Sequence, residues 1–128
     1  MRILAVDDEE DTRRFLTDLL TQEGHEVSTA ATGLEALAAV QIHRFDVVLL
    51  DLMMPKVDGY QVIRTMTDHW VNSRVPVVIL SSRSDAHSHS FARIFGCVQY
   101  LEKPFKPEAL LEVLRDIDQG RQETVARS

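Results

Sequence analysis

The feature that most constrains this chain is an alternation. Five short apolar runs rich in β-branched residues, at 3–6, 27–30, 47–50, 75–80 and 98–101, are separated by stretches of helical period. A strand with one wet face alternates apolar and polar residues. These runs do not, apart from the weaker second one, so they read as strands covered on both faces. Strands of that kind, spaced by helices, pair in parallel through right-handed βαβ crossovers. The expected architecture is α/β, a doubly wound five-stranded parallel sheet flanked by five helices.

The helical stretches carry their own boundaries. The first spans about 11–23, with Phe15, Leu16, Leu19 and Leu20 as its apolar face and Gly24 placed to end it. The second opens on Thr32-Gly33-Leu34-Glu35, a capping-box pattern, and its predicted stripe is Leu34, Leu37, Ala38 and Ile42. The third starts near Asp58-Gly59 and carries Val62, Ile63 and Met66, and the fourth covers about 85–95 and stops at Gly96. The fifth begins at Pro107, a favourable first-turn residue, and buries Leu110, Leu111, Leu114 and Ile117. Residues 119–128 are polar without an apolar period, which predicts a tail or the start of a linker after a domain at 1–118.

Composition narrows the functional classes. The chain has 128 residues, 45% of them hydrophobic, which suits one domain with a real core. Twenty acidic residues against 14 basic ones give a net charge of −6, which argues against direct nucleic-acid binding. A single cysteine, Cys97, excludes an intrachain disulfide and points to a reducing, cytoplasmic setting. No apolar run is long enough to span a bilayer, and the first eight residues turn acidic too early for a signal peptide.

Ligands of open parallel α/β sheets bind beyond the carboxyl ends of the strands. Asp7 and Asp8 follow the first run, Asp51 the third, Ser81 and Ser82 the fourth, and Glu102-Lys103-Pro104 the fifth. If the first and third strands are neighbours, three carboxylates converge, and crowded like charges are unfavourable unless protonated or neutralised by a cation. Hard oxygen ligands that leave room for water and phosphate suit Mg²⁺. A lysine acts there as a mobile point charge, and a serine hydroxyl can donate to a phosphoryl oxygen. Such a set supports an aspartyl-phosphate. Each feature alone has a plainer reading: Asp7-Asp8 as a solvated turn, Lys103-Pro104-Phe105 as a loop, Tyr100 as a packing aromatic. His25, His43, His69, His87 and His89 are scattered and read as surface histidines, not a metal site.

Four stretches stand together in order: Val6-Asp7-Asp8-Glu9, Asp51-Leu52-Met53-Met54-Pro55 with Asp58-Gly59, Ser81, and Tyr100-Leu101-Glu102-Lys103-Pro104-Phe105. On these the sequence resembles the receiver domain of a two-component response regulator, of the chemotaxis-regulator kind. The resemblance implies the sheet order 2-1-3-4-5. It implies that Asp51 accepts phosphate from a phosphohistidine on a sensor histidine kinase or phosphotransfer protein. Mg²⁺ would be held by Asp7, Asp8, Asp51 and the backbone carbonyl of Met53. Lys103 would pair with Asp51 and then with the phosphoryl group, Ser81 would move toward a phosphoryl oxygen, and Tyr100 would swing inward. The peptide before Pro104 would be cis. The face built from the fourth helix, fifth strand and fifth helix would bind a downstream output protein or an attached output domain.

The implied protein is a signalling module, not an enzyme. One alternative is a pseudo-receiver that only binds partners. The other is a Mg²⁺-dependent aspartyl-phosphate phosphohydrolase, which would want a second Asp where Met53 stands. Cys97-Val98-Gln99 lacks the acidic pair common in winged-helix transcription regulators, and Val113 replaces their arginine. These departures favour a stand-alone regulator or a receiver from another architecture.

Overall fold

The computed structural model describes residues 1–51, 64, 75–82 and 99–127, the stretch 121–127 as backbone only. The helices expected near 58–66 and 85–95 lie outside the described residues, as do Met53, Met54, Trp70 and Cys97. The described elements are β1 (Arg2–Val6), α1 (Glu10–Gln22), β2 (Glu26–Ala30), α2 (Gly33–Ile42), β3 (Val47–Leu50), β4 (Val77–Ser81), β5 (Gln99–Glu102) and α3 (Pro107–Arg127). The five strands form one parallel sheet in the order β2-β1-β3-β4-β5. Its central strands β3 and β4 are buried throughout, whereas the edge strands β2 and β5 are mixed. An edge strand has only one strand neighbour, which is why the second run is the weakest in the sequence.

Strand pleating sorts the core into two halves. Ile3, Ala5, Val47, Leu49, Val78 and Leu80 pack on one face with Leu16 and Leu20 of α1 and Leu110 and Leu114 of α3. Leu4, Val6, Val48, Leu50, Val77 and Ile79 pack on the other with Ala36 and Val40 of α2. Each such large aliphatic side chain contributes about 1.5–3 kcal/mol by leaving water.

Helix ends follow their local chemistry. Gly24 adopts φ +88 after α1, its N–H bonds Thr21 O at 3.0 Å, and the His25 N–H bonds Leu20 O at 3.1 Å. This is a Schellman closure, in which only glycine takes the left-handed position without strain. At α2 the Glu35 N–H donates to Thr32 Oγ1 at 3.1 Å, while Glu35 Oε2 accepts from the Ala31 N–H at 2.9 Å. Glu35 thus reaches one residue further back than the reciprocal box predicts.

Two expectations fail on helix faces. Leu34 is 60% exposed and Ile42 73%, and Ala38 is exposed too; α2 instead buries Gly33, Ala36 and Val40. Apart from Glu35 and Gln41, α2 is apolar or small all round, so its period does not point to a face. The side turned to the sheet carries the small Gly33 and Ala36, which permit close approach. Phe15 leaves the α1 core face, 42% exposed, and packs its ring against Phe105 with centroids 6.5 Å apart. His25 is half-buried, not a solvated surface histidine, and α3 continues as helix through the tail to Arg127.

Candidate functional site

The parallel register brings the site together. Val6 lies opposite Leu50, so Asp7 and Asp51 emerge side by side from β1 and β3. The ladder runs one residue past both strands: the Asp51 N–H donates to Val6 O at 3.0 Å and the Asp7 N–H to Ala30 O at 3.1 Å. Both carboxylates therefore stand on fixed backbone, Asp7 1% and Asp51 6% exposed. The Glu9 N–H donates to Asp7 Oδ1 at 2.9 Å, which turns the chain into α1, and Arg13 Nη1 donates to Asp7 O at 3.0 Å. Asp8 stays exposed beside them.

From the far side comes Lys103. Its N–H donates to Ser81 O at 2.9 Å, and the Lys103–Pro104 peptide is cis, as expected. The ammonium reaches Asp7 Oδ2 at 2.5 Å and Asp51 Oδ2 at 3.3 Å. Asp7, not Asp51, is thus the closer partner, although the sequence pointed to Asp51. Burial alone pulls the Lys103 pKa down. The Asp7 hydrogen bond, the charge of Asp51 and the remaining contacts to both outweigh it, and the net shift is upward.

One oxygen each of Asp7, Asp8 and Asp51 lies within 4.8 Å of the others. Among the described residues, these three carboxylates share the Lys103 ammonium, which leaves net negative charge that a divalent cation would neutralise. The donors are all hard oxygens and one is open to solvent, so the set fits Mg²⁺, which keeps several of its waters.

Of the other expected site residues, Ser81 is buried at the end of β4. Tyr100 is half-buried, packs toward the α2 side of the core, and has its hydroxyl atom buried. An open cavity of about 610 Å³ lies over the site, with Asp51, Ser82 and Lys103 in its wall and Phe15, Pro104 and Phe105 along one side. Glu9 and Asp11 add acidic groups to its lining. The sequence did not single out Phe15 or Phe105 for this position. It placed Ser82 only after the fourth apolar run, without a role. Ser82 directly follows the last residue of β4, at the carboxyl end of the strand where ligands of such sheets bind.

The comparisons with known proteins agree with this geometry. Residues 3–115 match the family model for the response regulator receiver domain. Protein PilG of Pseudomonas aeruginosa is 34% identical over 115 residues, which is 90% of this chain and 85% of PilG. Other curated relatives, including DNA-binding response regulators, are longer, and the chain spans about half their length. The chemotaxis protein CheY4 of Vibrio cholerae is 34% identical and superposes with a TM-score of 0.85 over 91% of this chain and 97% of its own. The receiver domain of the sensor histidine kinase PA1611 from Pseudomonas aeruginosa carries a magnesium ion in its active-site cleft. It is 28% identical, with a TM-score of 0.82 over 90% of this chain and 94% of its own. Among the described residues no helix is long and apolar enough to cross a membrane. With its five parallel strands in the order 2-1-3-4-5, its carboxylates and lysine at their ends, and a match over residues 3–115, this chain belongs to the response regulator receiver domain family.

Proposed function

We propose that Asp51 is the phosphoacceptor of a two-component phosphorelay. One observation carries the reading: the buried Asp51 carboxylate opens into a cavity, shares the Lys103 ammonium with Asp7, and has Asp8 in reach. A carboxylate oxygen of Asp51 attacks phosphorus on a phosphohistidine of a sensor histidine kinase or phosphotransfer protein. The P–N bond breaks as the P–O bond forms, and the electron pair leaves with the imidazole. Lys103 follows the charge, from the Asp51 carboxylate to a phosphoryl oxygen, while Asp7 keeps hold of it. Asp7, Asp8 and Asp51, with the Met53 carbonyl, are the residues that would hold Mg²⁺, which when bound neutralises charge on the transferring group.

Phosphate at Asp51 then biases a two-state element. Ser81 and Tyr100 relay it to the face that includes β5 and α3, where an output protein or an attached output domain binds. With residues 1–118 as the receiver, the longer DNA-binding relatives suit an attached output domain, and PilG, covered over 85% of its length, suits a separate output protein. The module works in the cytoplasm, is a switch and not a turnover enzyme, and acts on nucleic acid only through an output partner.

The test is intact-mass spectrometry after incubation with a small phosphodonor, with and without Mg²⁺. A Mg²⁺-dependent gain of one hydroxylamine-labile phosphate, absent in Asp51→Asn, is expected. Equal labelling of Asp51→Asn would move the acceptor elsewhere. No labelling of the folded wild type by this donor or by a phosphohistidine protein would leave a partner-binding pseudo-receiver.

A further inference from the structure

We propose that α2 is a self-docking surface, on which a second copy of this chain packs antiparallel to the first along Leu34, Ala38 and Ile42. These three residues stand at intervals of four, so they line one side of the helix. Leu34 is 60% exposed, Ile42 is 73% exposed, and Ala38 is exposed between them. Another side of α2 is already used, since Ala36 and Val40 pack in the core. A surface helix ordinarily turns polar residues to water. The exposed positions of α1 are polar apart from Phe15, and those of α3 between 107 and 120 are charged or glutamine. In α2 the one charged residue is Glu35. An apolar centre depleted of charge is the composition of an interface core.

Two features of the stripe favour a copy of itself as the occupant. The first is its order of sizes, large, small, large. A two-fold axis through Ala38 sets Leu34 of each copy against Ile42 of the other, while Ala38 meets its own equivalent and lets the helices approach closely. An isologous contact requires this self-complementarity. The second is charge. Glu35 is exposed near the amino end of α2, and Arg44 is exposed just past the carboxyl end, with no ion-pair partner among the described residues. Antiparallel packing brings each Glu35 toward the other copy's Arg44 and sets the positive end of each helix dipole beside the negative end of the other. Parallel packing would oppose like charges at both ends. The ten residues of α2 span only about 15 Å, so the contact is small and the pair dissociates readily. α2 packs beside β1 and β2, on the sheet face opposite α1 and far from the β5 edge. The cavity over Asp51 is walled by α1 residues. Pairing through α2 therefore leaves Asp51 open to a phosphodonor and leaves β5 and α3 free.

The experiment is sedimentation equilibrium on the full chain from about 10 μM to about 1 mM, a range that brackets weak self-association. The wild-type mass should rise from 14.5 kDa toward twice that value. Ala38→Arg, which puts two cations on the two-fold axis, should stay at the mass of one chain throughout. Arg44→Glu, placed outside the helix, should weaken association about fivefold or more through loss of two exposed pairs. Both variants should keep the wild-type melting temperature, and Glu112→Arg on α3 should associate as the wild type does. Under oxidation Ala38→Cys should crosslink to its own copy faster than Leu34→Cys or Ile42→Cys does alone, measured against the wild-type background set by Cys97. A wild type that stays at one chain over the whole range would overturn the proposal and leave the stripe to an unlike partner. Association that survives Ala38→Arg, or that Glu112→Arg abolishes, would put the contact on another face and overturn it as well. An Arg44→Glu that pairs as tightly as wild type, or faster crosslinking of Leu34→Cys than of Ala38→Cys, would overturn the antiparallel arrangement.

Discussion

Both ends of the sheet carry charge, and they hold it in opposite ways. At the amino end, Arg2 Nε meets Glu26 Oε2 at 3.3 Å with side chains 50% and 73% exposed. Asp46 Oδ2 accepts the exposed Arg2 N–H at 2.7 Å, and the Met1 ammonium meets His25 Nδ1 at 3.1 Å. Water screens the two Arg2 contacts, and exposed pairs are worth about 0–1 kcal/mol, while the Met1–His25 contact is half-buried. At the carboxyl end, Asp7 and Asp51 are buried just beyond adjoining strands, their backbones held by ladder hydrogen bonds and their carboxylates by Lys103. A charge pair interacts several times more strongly near a protein interior than in bulk water. The amino end lets its charges relax; the carboxyl end holds Asp7, Asp8 and Asp51 together, with Lys103 shared between Asp7 and Asp51. Rigid placement, more than the number of charged residues, distinguishes the two.

The sharpest way to break this comparison is Lys103→Met. Phosphate uptake should fall by about a hundredfold, as for loss of a charge-stabilising donor. Mg²⁺ should bind more tightly, because a positive charge leaves the cluster. Phosphodonor kinetics and titration calorimetry read the two effects, and weaker Mg²⁺ binding would make Lys103 a structural prop. The raised Lys103 pKa adds a pH signature with a definite sign. Its stabilisation is full below the ordinary lysine value of about 10.4 and is lost as pH rises through the folded value, so it is constant across the physiological range.

The amino end should answer to acid instead. Burial, then the Met1 ammonium, lowers the His25 pKa, with Asp118 and Glu23 opposing, and the net shift is downward. As pH falls below about 6.5 the unfolded chain takes up the proton first, so stability declines until pH passes the folded value. Urea midpoints between about pH 7.5 and 5 should show this decline, and His25→Asn should flatten it. Phosphate uptake at pH 7.5 should not change in that variant. The smallest effect is expected for Arg2→Gln: a stability change within about 1 kcal/mol and unaltered uptake. A larger loss would mean that the exposed pair is held more rigidly than its solvation implies.

Much of this was legible along the chain. The strand runs, the Thr32 and Gly24 helix signals, and the order Asp7-Asp8, Asp51, Ser81, Lys103 depend on residues within a few positions of one another or on the strand ends they follow. The faces of α2 and α1 were less so. In α2 apolar and small residues stand on every side, so Leu34, Ala38 and Ile42 looked like a core stripe but face outward. Phe15 had the right period for the core, yet the nearby Phe105 ring gave it a place at the cavity.

By itself the sequence determined the element types, their order and the identity of the charged residues at the strand ends, because propensity, capping and period act locally. Tertiary structure alone decided which groups meet. Lys103 lies 96 residues from Asp7 and 52 from Asp51, and only the β1-β3-β4-β5 pairing brings all three to one place, with Asp7 nearer. It also decided that Ser82, one residue beyond β4, shares a cavity wall with Asp51 while Ser81 is buried. Which side chains face the chemistry depends on what the rest of the chain packs against each strand, and no local propensity reports that.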